Sequence, residues 1–305
     1  MKIAAVLNPI SGGKDKDDFM EYFKKTTHHF GIEHKIFETS GNDDLKKFTD
    51  FLSDEEFDLI VAVGGDGTFA LAALASAQFQ IPVGVIPFGS ANGLAKELGV
   101  NQTPNEAFDD LLKSRMVRKM DMLSINDLIK FIHLADLGVN AKLVKAFEED
   151  ENRGMLTYGK HLAKGLQDIE QIEYSLEANG ETIRGFCVMI IIANGRKFGT
   201  GVSISESGNP FDGKFEIAVI EDINLGTLLK AGFSAIDQLY TPQNVSKVIT
   251  TQEARISFDK PQLMQADGEV IDEFKDLIIK VLKEEFLFQT HFGNPYIQMD
   301  ESSQV

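Results

Sequence analysis

The chain has 305 residues, of which 43% are hydrophobic and 25% charged, as is usual for a globular protein with one large domain or two ordinary ones. Its formal net charge of −17 argues against a nucleic-acid partner and leaves any attraction to an anionic membrane to local patches. A single cysteine, Cys187, excludes an internal disulfide and fits a reducing cytoplasm; its apolar surroundings predict a core residue and not a nucleophile. No signal peptide is recognisable, and no apolar run reaches the about 18–20 residues of a membrane-spanning helix. We therefore expect a cytoplasmic protein that would meet a membrane only transiently and at its surface.

The first third of the chain alternates strand-like and helix-like segments, which predicts a parallel, doubly wound α/β sheet. Strands are predicted at residues 3–7, 33–37, 59–63 and 83–86, and helices at residues 17–30, 43–52, 69–77, 91–98 and 104–112. Ligands of such sheets bind beyond the carboxyl ends of the strands.

Three glycine-rich turns, at residues 8–13, 64–68 and 89–93, directly follow three of these strands. Glycine lets the backbone approach a ligand closely, and the start of a helix attracts an anion. The carboxylate of Asp66 fits such a site if a metal ion, or a polyphosphate that carries one, binds there. Each turn alone could be a tight connection with a polar cap, but three together indicate a nucleotide site, with Asn8, Ser11, Ser90 and Asn92 as candidate contacts.

Strands dominate after residue 121, which predicts an antiparallel, sandwich-like β domain. They are predicted at residues 122–125, 130–137, 172–178, 186–193, 214–220, 247–251, 254–258 and 276–281, with one long helix at residues 141–169. We predict an α/β domain at residues 1–123, a β-rich domain at residues 124–290, and a C-terminal segment at residues 291–305 that packs back on the first domain. An exposed sheet edge would allow two protomers to pair as a homodimer.

The predicted helix at residues 141–169 carries both basic and apolar side chains. The simpler interpretation is an amphipathic helix with a solvated charged face. The alternative is a locally basic edge that meets anionic lipid headgroups.

The order of these turns resembles the diacylglycerol kinase catalytic-domain family, which includes sphingosine kinases and small bacterial lipid kinases and lies in one superfamily with NAD kinases. The resemblance covers nearly the whole chain. The segments that carry it are Asn8-Pro9-x-Ser11-Gly12, Gly64-Gly65-Asp66-Gly67-Thr68, Pro87-Phe88-Gly89-Ser90-Ala91-Asn92, Gly138-Val139-Asn140-Ala141 with Tyr158, residues 194–201, Phe211-Asp212-Gly213 and Gln265-Ala266-Asp267-Gly268-Glu269.

The resemblance implies a role for each matching position. The implied contacts with ATP are Thr39, Gly64, Gly65, Asp66, Gly67, Thr68, Phe69, Ala70 and Ser90. Asp267 and Glu269 would flank the attacking hydroxyl, one of them as general base. Asp212, with the backbone carbonyls of Asn209 and Lys214, would hold a structural Mg²⁺. Asp66 and Asp121 would belong to a carboxylate network that organises the catalytic Mg²⁺.

Two positions depart from the family pattern. Gly93 stands where many members have aspartate, so one carboxylate of the implied network is absent. Phe211 stands where an acidic or polar residue is common before the Asp-Gly pair.

The residues themselves are compatible with phosphoryl transfer, which needs positioning, a metal ion and a base for the hydroxyl. Asp267 and Glu269 are two residues apart and would face one side if that segment is extended. Two close carboxylates would separate their pKa values and leave one ionised as a base. The alternative is an exposed Asp-Gly hairpin turn.

The sequence thus predicts an ATP- and Mg²⁺-dependent lipid kinase that binds ATP between its domains and phosphorylates the hydroxyl of a diacylglycerol-like or sphingoid lipid. One alternative is an NAD kinase, which shares the Gly-Gly-Asp-Gly-Thr loop but continues with a different third loop. Another alternative is a catalytically weak protein that binds nucleotide or lipid, for which Gly93 is the best support.

Overall fold

The computed structural model describes residues 1–13, 15–114, 116–139, 141, 170–198, 202–203, 205, 208–222 and 247–297. The predicted helix at residues 141–169 lies, apart from Ala141, outside these described residues. The chain forms two compact units, one of Met1–Asp121 with Lys283–Val305 and one of Met122–Leu282. The predicted domain boundaries at residues 123 and 290 stay predictions.

The first unit contains a parallel sheet with helices between its strands. Its strands are β1 (Lys2–Leu7), β2 (Glu33–Glu38), β3 (Leu59–Gly64) and β4 (Val83–Pro87). Its helices are α1 (Asp17–His29), α2 (Asp44–Ser53), α3 (Asp66–Phe79), α4 (Gly93–Glu97) and α5 (Pro104–Lys113). The parallel order β4-β3-β1-β2 confirms the predicted α/β sheet, with modest shifts at the ends of the elements.

The strand order explains where a ligand of this unit would bind. The chain moves from β1 to β2 on one side and then to β3 on the other side, so the order reverses between β1 and β3. Every residue of β3 is buried, because helices cover both faces of a parallel sheet. On α1, Phe19 and Phe23 are one helical turn apart and pack with Phe88 and Phe108. This aromatic cluster anchors the residue just before the third glycine-rich turn.

The second unit is built from antiparallel strands. The first and the last of these strands, β5 and β16, also contribute residues to the first unit. In chain order the strands are β5 (Met116–Ile125), β6 (Ile129–Phe131), β7 (Leu134–Gly138), β8 (Ile172–Ala178), β9 (Glu181–Cys187), β10 (Met189–Ala193), β11 (Lys197–Phe198), β12 (Val202–Ser203), β13 (Phe215–Ile220), β14 (Lys247–Thr251), β15 (Glu253–Ala266) and β16 (Glu269–Thr290).

The strand β15 makes this unit sandwich-like, because its two halves pair with different strands. Residues 254–258 pair with β8 and residues 264–266 with β7, and the register shifts in between, as at a β-bulge. The order β14-β13-β10-β7-β15-β16 is antiparallel throughout. The core between these strands includes Cys187, which has no exposed surface. The predicted antiparallel β unit and the core position of the cysteine are both confirmed.

Several predicted strands were wrong in extent. Residues 130–137 do not form one strand, because the chain bends at Ile132 and His133 between β6 and β7. Residues 186–193 also divide, with Val188 between β9 and β10. The predicted strands 254–258 and 276–281 are parts of the much longer β15 and β16. A continuous apolar run does not reveal where a strand bends, since residues at the bends, such as Ile132 and Val188, are themselves apolar and buried.

Among the described residues, no helix is long and apolar enough to cross a membrane.

Candidate active site

Three loops of the first unit meet at the carboxyl ends of its strands. We name residues 8–13 the first loop, residues 64–68 the second loop and residues 89–93 the third loop. The Asn8 N–H donates a hydrogen bond to the Val63 carbonyl (3.1 Å), and the Phe88 N–H donates to the Gly64 carbonyl (2.7 Å). At the end of β2, the Thr39 N–H donates to the Leu7 carbonyl (2.9 Å). The three turns singled out from the sequence therefore form one cluster where the strand order reverses, the position at which doubly wound sheets bind ligands.

Glycine is required where the loops touch. Gly12 has a φ of 66°, and a Cβ atom placed on it would overlap the Phe88 carbonyl. A Cβ atom on Gly89 would lie 2.5 Å from the Cα of Gly65, closer than real Cβ atoms approach. A Cβ atom on Gly64 would overlap the Thr68 hydroxyl. The loops thus pack backbone against backbone, which only residues without side chains permit.

Asp66 links the second loop to the helix that follows the third. Its Oδ2 accepts the Gly93 N–H (2.9 Å) and its Oδ1 accepts the Leu94 N–H (3.0 Å). Gly93, which stands in place of the family's aspartate, therefore contributes its backbone N–H to this carboxylate. A carboxylate oxygen can accept more than one bond, so this arrangement leaves lone pairs for a metal ion or its water.

The start of α3 forms the candidate phosphate cradle. The N–H groups of Thr68 (3.0 Å) and Phe69 (3.1 Å) donate to the Gly65 carbonyl. The earlier N–H groups of a helix have no acceptor within it and favour an anion. The side chains of Phe69 and Ala70 are buried in the core, so only their backbone could serve ATP, whereas Gly67 is exposed at the helix start.

Asn92 presents a buried acceptor at this cluster. The residue is 8% exposed and takes the left-handed conformation at the start of α4, with a φ of 50°. Within the described part of the chain, its Oδ1 has no hydrogen-bond partner. Buried polar atoms are normally paired, so this oxygen fits a donor supplied by a ligand. The neighbouring Ser90 is exposed.

The first loop is held by its own side chains and by Lys16. Asn8 accepts the Ile10 N–H (3.1 Å), and the Ser11 hydroxyl donates to the Asn8 carbonyl (3.2 Å). The Lys16 Nζ donates to the carbonyls of Pro9 (3.3 Å) and Ser11 (2.8 Å). Lys16 is 5% exposed, and burial lowers the pKa of its ammonium group.

Lys16 also connects two loops, because its Nζ lies 5.3 Å from the ring centre of Phe88, next to the third loop. Sequence analysis missed this residue, since a lysine in a polar run after a glycine turn looks like any solvated lysine.

Asp121 is a buried residue of β5 and the last residue of that strand that belongs to the first unit. It is 1% exposed, and its Oδ1 accepts the Glu284 N–H (2.7 Å). Its role in a carboxylate network with Asp66 stays a prediction.

In the second unit, Asp267 lies in the hairpin turn between β15 and β16. Its Oδ2 accepts the Ile132 N–H (2.9 Å), and its Oδ1 accepts the N–H groups of His133 and Leu134 (both 3.0 Å). Burial raises the pKa of the Asp267 carboxyl, and these three N–H donors oppose that shift.

The Asp267 segment is not extended but forms a hairpin turn, as in the alternative interpretation of the sequence. Asp267 and Gly268 have φ values of 47° and 89°, the left-handed pair that favours a type I′ hairpin turn, and Glu269 begins β16 with an exposed side chain. The Gly268 N–H donates to Gln265 Oε1 (2.9 Å), and Gln265 in turn donates to the fully buried Asp136. The turn is therefore fixed from both sides.

The predicted structural metal ligands form a compact turn. The Asp212 N–H donates to the Asn209 carbonyl (3.3 Å), and Asp212 Oδ1 accepts the Lys214 N–H (2.9 Å). In the part of the chain that the structure describes, no three histidine, cysteine, aspartate or glutamate residues group as metal ligands do. A metal here would rest on one carboxylate and backbone oxygens, so the site stays a prediction.

An α/β unit with three glycine loops at the carboxyl ends of parallel strands, followed in the chain by an antiparallel β unit, defines a class of nucleotide-using phosphotransferases. Residues 2–125 match the diacylglycerol kinase catalytic domain, and residues 134–280 match the YegS C-terminal NAD kinase beta sandwich-like domain. The chain belongs to the diacylglycerol kinase catalytic-domain family, and it is a kinase, a phosphotransferase with an alcohol acceptor.

Relatives by sequence have similar lengths. A candidate lipid kinase of Staphylococcus carnosus (strain TM300) is 28% identical over 82% of this chain and 83% of its own. The diacylglycerol kinase of Bacillus subtilis (strain 168) is 24% identical over 93% of this chain and 98% of its own.

Solved structures show the same fold. A candidate diacylglycerol kinase from Bacillus anthracis str. Sterne matches with a TM-score of 0.75 at 19% identity, covering 96% of each chain. An NAD kinase from Archaeoglobus fulgidus in complex with ATP matches with a TM-score of 0.56 at 15% identity, covering 100% of each chain. The kinase fold of this chain is therefore one that also occurs with bound ATP.

Proposed function

We propose that this protein is an ATP-dependent lipid kinase that transfers the γ-phosphate of ATP to the hydroxyl of a diacylglycerol-like or sphingoid lipid. The observation that carries the proposal is the convergence of the three loops, with Asp66 at the start of α3 and the buried acceptor of Asn92 beside them. The family and the names of the relatives supply the lipid class.

On the phosphate side, the first-turn N–H groups of α3 bind the polyphosphate, and the close-packed loops hold it without rearranging during the reaction. Bound Mg²⁺ would neutralise phosphate charge. Asp66 and Asp121 fit this ion as carboxylate ligands, directly or through water, while Asp212 with the carbonyls of Asn209 and Lys214 would hold a structural ion.

On the hydroxyl side, Asp267 accepts the proton of the lipid hydroxyl as that oxygen attacks the γ-phosphorus and ADP leaves. A base needs a pKa nearer to the working pH than a solvated aspartate has, and burial of the Asp267 carboxyl shifts its pKa in that direction. Glu269, two residues later, would orient the hydroxyl. The lipid would be met at the membrane surface.

The third loop favours a lipid over NAD as acceptor. Gly89-Ser90-Ala91-Asn92 resembles the lipid kinases, and the Bacillus subtilis relative is named a diacylglycerol kinase. The likeness to an NAD kinase at 15% identity concerns the fold alone.

The test is a radiolabelled ATP assay of the purified full chain with Mg²⁺. One arm offers mixed micelles of total bacterial lipid and the other offers NAD, and products are separated by chromatography. We expect label in an organic-soluble product that is lost in Asp66→Ala. Label only in NADP, or ATP binding without transfer in either arm, would overturn the lipid kinase proposal.

A further inference from the structure

We propose that Tyr296 and Glu97 are positioning residues of the nucleotide site, because their hydrogen bond fixes the helix whose first N–H groups hold Asp66. The effect of this hydrogen bond on catalysis rests on the proposed function, whereas its effect on the position of the helix does not. The contacts that carry it lie entirely in the first unit.

The hydrogen bond joins residues far apart in the chain. Tyr296 Oη donates to Glu97 Oε1 at 2.5 Å, across 199 positions of sequence, and each residue is only 1% exposed. A buried carboxylate is unfavourable unless it is hydrogen-bonded, and a bond to a charged acceptor is stronger than a neutral one. Loss of the Tyr296 hydroxyl would therefore disturb Glu97 markedly.

Residues 290–297, which we name the C-terminal strap, pack directly on the end of α4. Gly99 has a φ of 72°, and a Cβ atom on it would lie 2.5 Å from the Gly293 carbonyl oxygen. Asn294 is fully buried; its Nδ2 donates to the Thr290 hydroxyl (3.0 Å) and its Oδ1 accepts the Tyr296 N–H (3.0 Å). The strap is thus internally braced before its tyrosine reaches Glu97.

The helix α4 depends on contacts at both of its ends. It spans only Gly93–Glu97, and a helix of this length is not stable by itself. At its first residues, the N–H groups of Gly93 and Leu94 bind the Asp66 carboxylate; at its last residue, Glu97 accepts from Tyr296. A shift of Glu97 would reach Gly93 through about one helical turn and move the amides that orient Asp66.

The test compares two Tyr→Phe variants of the full chain. Tyr296→Phe removes the bond to Glu97. Tyr22→Phe is the matched control, since Tyr22 Oη donates to Asp109 Oδ1 at the same 2.5 Å in the same unit, between α1 and α5. The first measurement is amide hydrogen exchange at Gly93 and Leu94 without nucleotide, so that its result does not depend on kinase activity.

We expect exchange at Gly93 and Leu94 to be about tenfold faster in Tyr296→Phe, as the loss of a buried charge-assisted hydrogen bond predicts, and unchanged in Tyr22→Phe. Unchanged exchange in Tyr296→Phe, or equal acceleration in both variants, would overturn the inference. If Tyr296→Phe does not fold, Glu97→Gln replaces it; this variant keeps an oxygen acceptor, and we expect a smaller acceleration in the same direction.

The second measurement is kinetic. We expect Tyr296→Phe to lower kcat/KM for ATP about tenfold while KM for the lipid stays unchanged, a split that a general loss of stability would not produce. If the wild-type protein had no lipid kinase activity, the proposed function would be wrong. The amide hydrogen exchange at Gly93 and Leu94 would still show whether Tyr296 holds α4 in place. Equal kcat/KM for ATP in both Tyr→Phe variants would show that the hydrogen bond between Tyr296 and Glu97 does not affect catalysis.

Discussion

Gly65 and Gly89 touch through their backbones, so that a Cβ atom on Gly89 would lie 2.5 Å from the Cα of Gly65 and 2.7 Å from Asn92 Oδ1. This contact brings the second and third loops into one surface. It is possible only because both positions lack a side chain, although they belong to turns more than 20 residues apart in the sequence.

Gly89→Ala is therefore expected to push the second and third loops apart. We expect it to lower the free energy of unfolding by about 1–3 kcal/mol, as overpacking does, and to weaken ATP binding at least tenfold. Urea unfolding and ATP titration measure the two effects.

Gly67→Ala is the matched control for stability. A Cβ atom on Gly67 meets no atom within 4 Å, and the residue lies in the first turn of α3. We expect this variant to unfold at the same or higher urea concentration, with a gain of up to about 1 kcal/mol. Equal destabilisation by both alanines would contradict the close contact of the loops.

Lys16→Met is expected to loosen the first loop. The variant keeps the length and apolar stem of the side chain but removes the donor that binds the Pro9 and Ser11 carbonyls. We expect KM for ATP to rise several-fold, measured at saturating lipid. Lys113→Met, which removes an exposed ion pair with Asp109, should leave KM unchanged. An unaltered KM in Lys16→Met would show that the loop holds its shape without this lysine.

Asp267→Asn is expected to abolish the base while leaving nucleotide binding intact. We expect kcat to fall by about 10²–10⁴ with KM for ATP unchanged, because general base catalysis contributes on this order. The measurement is steady-state kinetics with both substrates varied. Asp259→Asn, an exposed aspartate of β15, serves as control and should retain wild-type kcat. Full activity of Asp267→Asn would rule out Asp267 as the base.

The pH dependence follows from the raised pKa of Asp267. Only the ionised carboxyl accepts a proton, so kcat should rise with pH through an apparent pKa above the ordinary value of 3.8. The effect of pH on stability has the opposite direction. Because the native carboxyl resists ionisation, its contribution to the free energy of unfolding is complete below pH 3.8 and is lost as the pH rises through the native pKa. A rate profile whose acid limb falls at or below 3.8 would contradict the burial of this group.

Cys187 is expected to be inert in the native protein. Burial raises the pKa of its thiol to about 12, with a further contribution from the negative charge of Glu221. Since the thiolate is the reactive form, a thiol reagent at pH 8 should label almost none of the native protein and one thiol per chain after unfolding in urea. Rapid labelling of the native state would place Cys187 outside the core.

Local patterns in the sequence were sufficient for the architecture. The alternation of strand and helix predicted the parallel sheet, because apolar periodicity reflects the burial of one face of each element. Glycines at the strand ends predicted the turns. Since the carboxyl ends of parallel strands lie at the same edge of a sheet, the sequence also predicted that residues 8–13, 64–68 and 89–93 lie together there. The same reasoning put Cys187 in the core.

Contacts between distant residues were decided only by the tertiary structure. Examples are the amides of Gly93 and Leu94 on Asp66, the three N–H groups on Asp267 and the bond from Tyr296 to Glu97, none of which has a local signature. Hydrogen bonds are directional and short-ranged, so the partners of a side chain depend on how the whole chain packs. Apolar periodicity, by contrast, can be recognised within each segment of the sequence.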